Sequence, residues 1–296
     1  MAKEKQGKKK KKKKSSTVPL LIGMLLGLIL VLYPSLSNYY NQFHQSRAIN
    51  DYAETVSKMS KDEYDALWQR AVDFNKDIPT RKNRYLLDEE TKKEYNAVLN
   101  LQNNGVMGYV EIPSISVSLP IYHGTSSAVL QVAVGHLDWT SVPTGGESTH
   151  CVISGHRGLP SATLFTHLDS VKEGELFHLR VLNETLTYQV DQIKVVEPKN
   201  TQDLIIEQGE DYCTLVTCTP YGINSHRMLV RGRRVETPEE AVKLFVVADA
   251  ARIDPMIILP IIAIILLLIF SIVLTINDIR KKRQNRIPKK AASPTT

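Results

Sequence analysis

The sequence predicts a mainly β domain set between two apolar helices. Short β-branched runs separated by Gly, Pro, Asn and Asp fill residues 105–235, charge-free apolar stretches flank that region on both sides, and residues 41–100 between the first stretch and the β region are helical and strongly charged. Strand-length runs with turn signals between them are the pattern of a sandwich or barrel.

Taken in order, the chain opens on a basic tail (1–17), whose first 14 residues hold nine Lys and one Glu. A segment at 18–37 follows, with the core Val18–Tyr33 almost wholly apolar and no Lys, Arg, Asp or Glu from Ser15 to Ser46. Its length reaches the ~20 residues of a membrane helix. A basic n-region, an apolar run and Ser35-x-Ser37 also fit a cleaved signal peptide, whereas Tyr33, Tyr39 and Tyr40 fit an interfacial aromatic belt. The sequence predicts the membrane helix.

Residues 38–104 form a helical N-terminal region. Ser60-x-x-Glu63 and Thr91-x-x-Glu94 match the capping box, and Tyr64, Leu67, Trp68, Ala71 and Val72 recur at helical spacing. The stretch Asp77–Arg84 is polar and Pro-broken, hence a loop. The β region, 105–235, contains candidate strands at Gly108–Ile112, Ser116–Ile121, Thr149–Ser154, Leu176–Val181, Leu186–Val196, Tyr212–Cys218 and Met228–Arg234. In the segment 236–254, Thr237-Pro238-Glu239-Glu240 predicts a helix with Thr as N-cap and Pro at N1, leading into a second membrane helix at 255–276. A basic tail, 277–296, closes the chain.

The net charge of +6 is confined to the tails: residues 1–14 contribute +8 and 277–290 contribute +6, leaving about −8 between them. A nucleic-acid-binding fold carries its positive charge on the domain itself, so nucleic acid is excluded as a partner. The positive-inside rule puts both termini in the cytoplasm and residues 37–254 outside, as one loop between two spans in the lipid bilayer. Three cysteines are too few for a disulfide scaffold and leave at least one thiol free.

Cys218 ends an apolar strand just before a Thr-Pro-Tyr-Gly turn, His156 ends another in Ser154-Gly155-His156-Arg157-Gly158, and Arg227 begins the strand after the turn. Side chains alternate faces along a strand. Cys213 and Cys218 differ by five positions, as do Cys151 and His156. Cys151 and Cys213 therefore lie off the Cys218–His156 face, as packed structural residues. Tyr221 and His226 lie close to the site in sequence. The other histidines show no metal-ligand spacing, and there is no phosphate-binding Gly-rich loop.

The segments Thr214–Cys218 (TLVTC), SGHRGLPSATLFTHLD, GYVEIPSISVSLPIYHGTS and TLVTCTPYGINSHRMLVRG closely resemble the sortases of Gram-positive bacteria, and within them the pilus-assembling class C branch. The resemblance implies an eight-stranded sortase β-barrel. It implies a cysteine transpeptidase that cleaves an LPXTG-like sorting signal between Thr and Gly, with Cys218 as nucleophile, His156 as general acid and Arg227 as oxyanion and substrate donor. The partners it implies are pilin subunits and an acceptor lysine of another pilin, and it implies no metal or organic cofactor. A cell-wall-anchoring sortase, a cysteine peptidase and a non-enzymatic membrane-tethered binding module are the competing readings. Class C sortases usually carry a lid with an Asp-Pro-aromatic motif. Here residues 75–90 hold Asp77-Ile78-Pro79 instead, leaving Tyr85 or Trp68 for the aromatic part, and the N-terminal region reads either as a lid of another form or as a packing collar.

Overall fold

The computed structural model describes residues 18–81, 85–242 and 255–284. The basic tail 1–17 and residues 285–296 of the expected tail 277–296 lie outside the described residues, as does the junction 243–254 between the Glu239 helix and the second apolar run; residues 277–284 continue the helix from Pro255. The chain divides into two compact units, residues 1–35 with 252–296, and residues 36–251.

In the first unit, α1 (Val18–Ser57) begins with its apolar stretch, and Ile22, Leu25, Leu26, Ile29 and Leu30 are exposed. Among the described residues α1 is the one helix long and apolar enough to cross a membrane. The helix runs without interruption through Pro34 and far past residue 37, so the expected boundary between a span and a separate helical region falls inside one element. The same unit contains a 30-residue helix from Pro255 to Gln284, whose apolar stretch is the shorter Ile264–Asn277.

The second unit is a closed barrel with a helical collar. The collar consists of the C-terminal half of α1, α2 (Lys61–Asp77) and α3 (Glu89–Ala97). Ser60 and Glu63 form the expected capping box on α2. α3 starts earlier than Thr91: Asp88 is its N-cap, accepting from the Thr91 backbone N–H at 2.8 Å. The correction has a simple cause. Thr91 and Glu94 fit the box by spacing, but Asp88, three residues upstream, offers a charged acceptor to the same orphan donors.

The barrel strands are β1 (Val106–Ile112), β2 (Val117–His123), β3 (Val134–His136), β4 (Thr149–Ser154), β5 (Leu176–Val181), β6 (Glu184–Val196), β7 (Asp211–Thr219) and β8 (His226–Val235), joined in the order β1-β2-β3-β4-β7-β8-β6-β5. The seven expected strands all form, and β3 is the one that sequence patterning does not reveal. β2–β3 and β4–β7 pair parallel and the rest antiparallel. At the end of β8 the Glu239–Val242 turn of helix forms, and Thr237 just before it is tied back to the barrel. Its hydroxyl donates to the Thr185 carbonyl of β6, at 2.9 Å.

Collar and barrel share one hydrophobic core. Tyr52 of α1, Phe74 of α2 and Tyr95 of α3 are buried with Val110, Ile153, Leu215 and Val230 of the strands. Polar contacts fix how they meet. The Tyr52 hydroxyl donates to the Met107 carbonyl at 3.0 Å and accepts from the Leu182 N–H at 2.8 Å. Asn75 bridges both backbone groups of Val142. Trp68 stacks on Tyr64 within α2 and packs against this core.

Tyr52→Phe leaves a buried N–H and a buried carbonyl unpaired. The expected loss is about 1–3 kcal/mol, seen as a lower urea midpoint with the barrel fold retained. An unchanged midpoint would show that the Tyr52 hydroxyl does not secure α1.

Candidate active site

β4 and β7 run parallel in register, Cys151 opposite Cys213 and Ser154 opposite Val216. Two residues further along each strand path stand His156 and Cys218, with Gly155 N–H donating to the Val216 carbonyl at 3.0 Å. β7 then turns through residues 220–225 into antiparallel β8, where Cys218 lies opposite Arg227. Residues opposite one another in a ladder share a face. The structure therefore brings Cys218, His156 and Arg227 together at one end of the barrel, on the outer face of three consecutive strands.

The parity argument for the remaining thiols holds. Cys151 and Cys213 are buried in the main core, inside the barrel. Cys218 is half-buried. The outer face beneath it is lined by Val152, four positions before His156, Val216, two before Cys218, and Leu229, two after Arg227, which pack with Leu204 and are bordered by Leu137, Trp139 and Val196. This second apolar cluster is a floor leading to the three polar residues. Sequence reading missed it because the same alternation that marks an inner face also marks an outer one.

Local features hold the strand ends. The Thr217 hydroxyl donates to the Gly155 carbonyl at 2.8 Å. A Cβ at Gly155 would lie 2.7 Å from the Phe165 ring, so only glycine lets that ring support the turn into His156. Gly158 has φ +76° and a Cβ there would strike the Tyr221 ring, 2.9 Å away. Tyr221 thus lies over the turn that follows His156. Arg157 is paired with Asp169 and its guanidinium stands 5.8 Å from the Tyr221 ring centre. His226 is exposed and bound to the Ser225 hydroxyl.

Burial lowers the His156 pKa, and the Arg227 cation lowers it further. Arg227 Nη1 donates to the carbonyls of Asn224 at 3.3 Å and His226 at 3.1 Å. These bonds aim the guanidinium from the loop side and leave donors on Nη2 and Nε for an incoming oxyanion. A thiol, an imidazole and a guanidinium gathered in this way can support acyl transfer.

His136 and His150 are core residues. His136 lies between the Tyr95 hydroxyl and the Ser141 carbonyl, and His150 between the Thr214 hydroxyl and the Ile205 carbonyl. Tyr85 is the member of the N-terminal region at the outer floor, its ring 5.0 Å from that of Trp139.

The Sortase domain family model matches residues 110–235. Among solved structures, sortase C1 from Streptococcus agalactiae is 49% identical with a TM-score of 0.63, covering 65% of this chain and 100% of that one. Sortase C from Streptococcus pneumoniae, described with respect to pilin substrate specificity, is 46% identical with a TM-score of 0.59, over 64% of this chain and 97% of that one. Sortase C from Clostridium perfringens, solved with the C-terminal cell wall sorting motif, is 42% identical with a TM-score of 0.57, over 64% and 99%. A curated relative, sortase D of Bacillus subtilis, is 30% identical over 131 residues, 43% of this chain and 63% of that protein. The chain belongs to the sortase family of cysteine transpeptidases.

Removing the Arg227 charge removes a repulsion that disfavours the imidazolium. In Arg227→Ala the His156 titration midpoint therefore rises toward the ordinary histidine value, while Arg227→Lys leaves it near the native position. Midpoints from NMR of ring-labelled histidine test this, and a fall in Arg227→Ala would contradict it.

Proposed function

Within that family, we propose that this chain polymerises pilin subunits. The observation that carries the reading is the convergence of Cys218, His156 and Arg227 above an apolar floor that suits an extended peptide. Its likeness to sortase C structures, one described by pilin substrate specificity and one solved with the C-terminal cell wall sorting motif, supports the choice of substrate.

In this reading the Cys218 thiolate attacks the Thr carbonyl carbon of an LPXTG-like signal. The carbonyl electrons move onto oxygen, where Arg227 donors meet the developing charge. The Thr–Gly C–N bond breaks as imidazolium His156 gives its proton to the departing amine, leaving a thioester on Cys218. A lysine amine of a second pilin attacks that thioester, neutral His156 takes the amine's proton, and Cys218 departs as thiolate. The product is an isopeptide bond, and the enzyme returns to its starting protonation.

Membrane attachment serves this chemistry. α1 and the helix from Pro255 would span the bilayer with both termini cytoplasmic and residues 37–254 outside, concentrating the site near the surface where its anchored substrates emerge. In this reading the catalytic barrel is the segment 105–235. Tyr85 is the residue best placed to act as the aromatic part of a lid, since it rests on Trp139 beside the floor.

The test mixes the full-length protein in detergent micelles with a pilin bearing its sorting signal. Lysine-linked multimers should form on a denaturing gel and vanish with Cys218→Ala. Transfer only to a peptidoglycan-like amine would replace this reading with that of a cell-wall-anchoring sortase, and products persisting in Cys218→Ala would remove the nucleophile assignment. If Tyr85 covers the site, Tyr85→Ala should raise cleavage of a short sorting peptide about 3- to 10-fold by enlarging the open fraction; unchanged cleavage would count against the lid.

A further inference from the structure

The loop that follows His156 has little structure of its own. Between Arg157 and His167 it forms turns and a single bridge, Leu159 to Ala162. Its inner side is tied to the His156 backbone: Phe165 N–H donates to the His156 carbonyl at 3.1 Å, and Gly158 N–H to the Thr166 hydroxyl at 3.2 Å. Its outer side is held by α1, more than a hundred residues away in sequence. Asn38 Oδ1 accepts from both the backbone N–H and the hydroxyl of Thr163, each at 2.9 Å. Asn41 Nδ2 donates to the Ser161 carbonyl at 2.8 Å.

Asn38 and Asn41 are three positions apart, so they share one helix face. They are half-buried, while Tyr39, Tyr40 and Phe43 beside them are exposed. The asparagine face is thus turned to the loop. Among the described residues no other α-helix reaches this loop through a side-chain hydrogen bond, and an irregular segment needs such external ties to keep one conformation.

We infer that Asn38 and Asn41 are positioning residues for the transfer reaction, holding the loop, and through it His156, at its place beside Cys218. The inference rests on the proposed roles of Cys218 and His156. Proton delivery to the leaving amine needs hydrogen-bond reach, so loosening the loop slows the chemical step more than it weakens peptide binding on the separate apolar floor.

The two asparagines do opposite jobs, which makes the inference sharp. Asn38 serves only as an acceptor and Asn41 only as a donor. A carboxylate can replace the first and not the second. Full-length protein in nanodiscs is assayed with a fluorogenic sorting-signal peptide, and hydrogen exchange across residues 157–166 is followed on the same samples. Asn38→Ala and Asn41→Ala should lower kcat about tenfold with KM within about twofold, on the scale expected when a reacting group is misplaced by a fraction of an ångström. Asn38→Asp should restore kcat, whereas Asn41→Asp should be as slow as Asn41→Ala. Loop exchange should quicken in the slow variants alone, with melting temperatures close to native.

Native kcat in both alanine variants, or equal loss in Asn38→Asp and Asn38→Ala, would overturn the inference. So would unchanged loop exchange in the alanine variants, whatever the activity. Failure of the native protein to cleave the peptide, or cleavage by Cys218→Ala, would instead strike the functional reading, and the exchange measurement would still decide whether α1 holds the loop.

Discussion

The parallel pairing of β4 with β7 is the constraint on which the site depends. Its register sets Ser154 against Val216 and so carries His156 and Cys218 off the ends of neighbouring strands together. A shift of one residue would turn either side chain to the opposite face. The inner positions of the same strands, Cys151 and Ile153 against Cys213 and Leu215, are fully packed in the barrel core and forbid that shift. The antiparallel turn into β8 then needs only to place Arg227 opposite Cys218. Core packing on one face thereby fixes chemistry on the other.

The collar is part of the same folding problem. Tyr52, Phe74, Ile78 and Tyr95 are almost wholly removed from solvent in the core that contains the strand residues. Excising residues 41–100 would expose that core, so the collar is no detachable spacer. Its polar pins, Tyr52 and Asn75, reach backbone groups of β1, of the turn before β6 and of the segment before β4. Each satisfies groups that would otherwise be buried without partners. A lid, if Tyr85 forms one, is confined to the short stretch between α2 and α3, because both helices are committed to packing.

Most of the fold was legible because its strands are long enough to show their periodicity and are bounded by turn residues. β3 escaped because Val134-Gly135-His136 is three residues long and contains a glycine. That glycine is needed: a Cβ there would sit 2.2 Å from the Gly124 carbonyl oxygen. The continuity of α1 escaped because Pro34 and the change to polar sequence after Ser37 look like an ending. In the candidate site, the placement of Cys218, His156 and Arg227 was legible from strand ends, parity and resemblance. Asn38 and Asn41 were not, since an asparagine on a helix carries no signal of a partner more than a hundred positions away. The outer apolar floor was hidden for a related reason: Val152, Val216 and Leu229 look like core residues until the barrel's inside is known.

The separation of the thiols between two faces has an analytical consequence. Of the three cysteines, two lie inside the barrel and only Cys218 is partly open to solvent. A bulky alkylating reagent therefore finds a single address on the native molecule and three once it is unfolded. The ratio of those two counts reports, without any substrate, what fraction of a preparation has a closed barrel. The native count alone gives the molar concentration of chains whose Cys218 thiol is open to reagent.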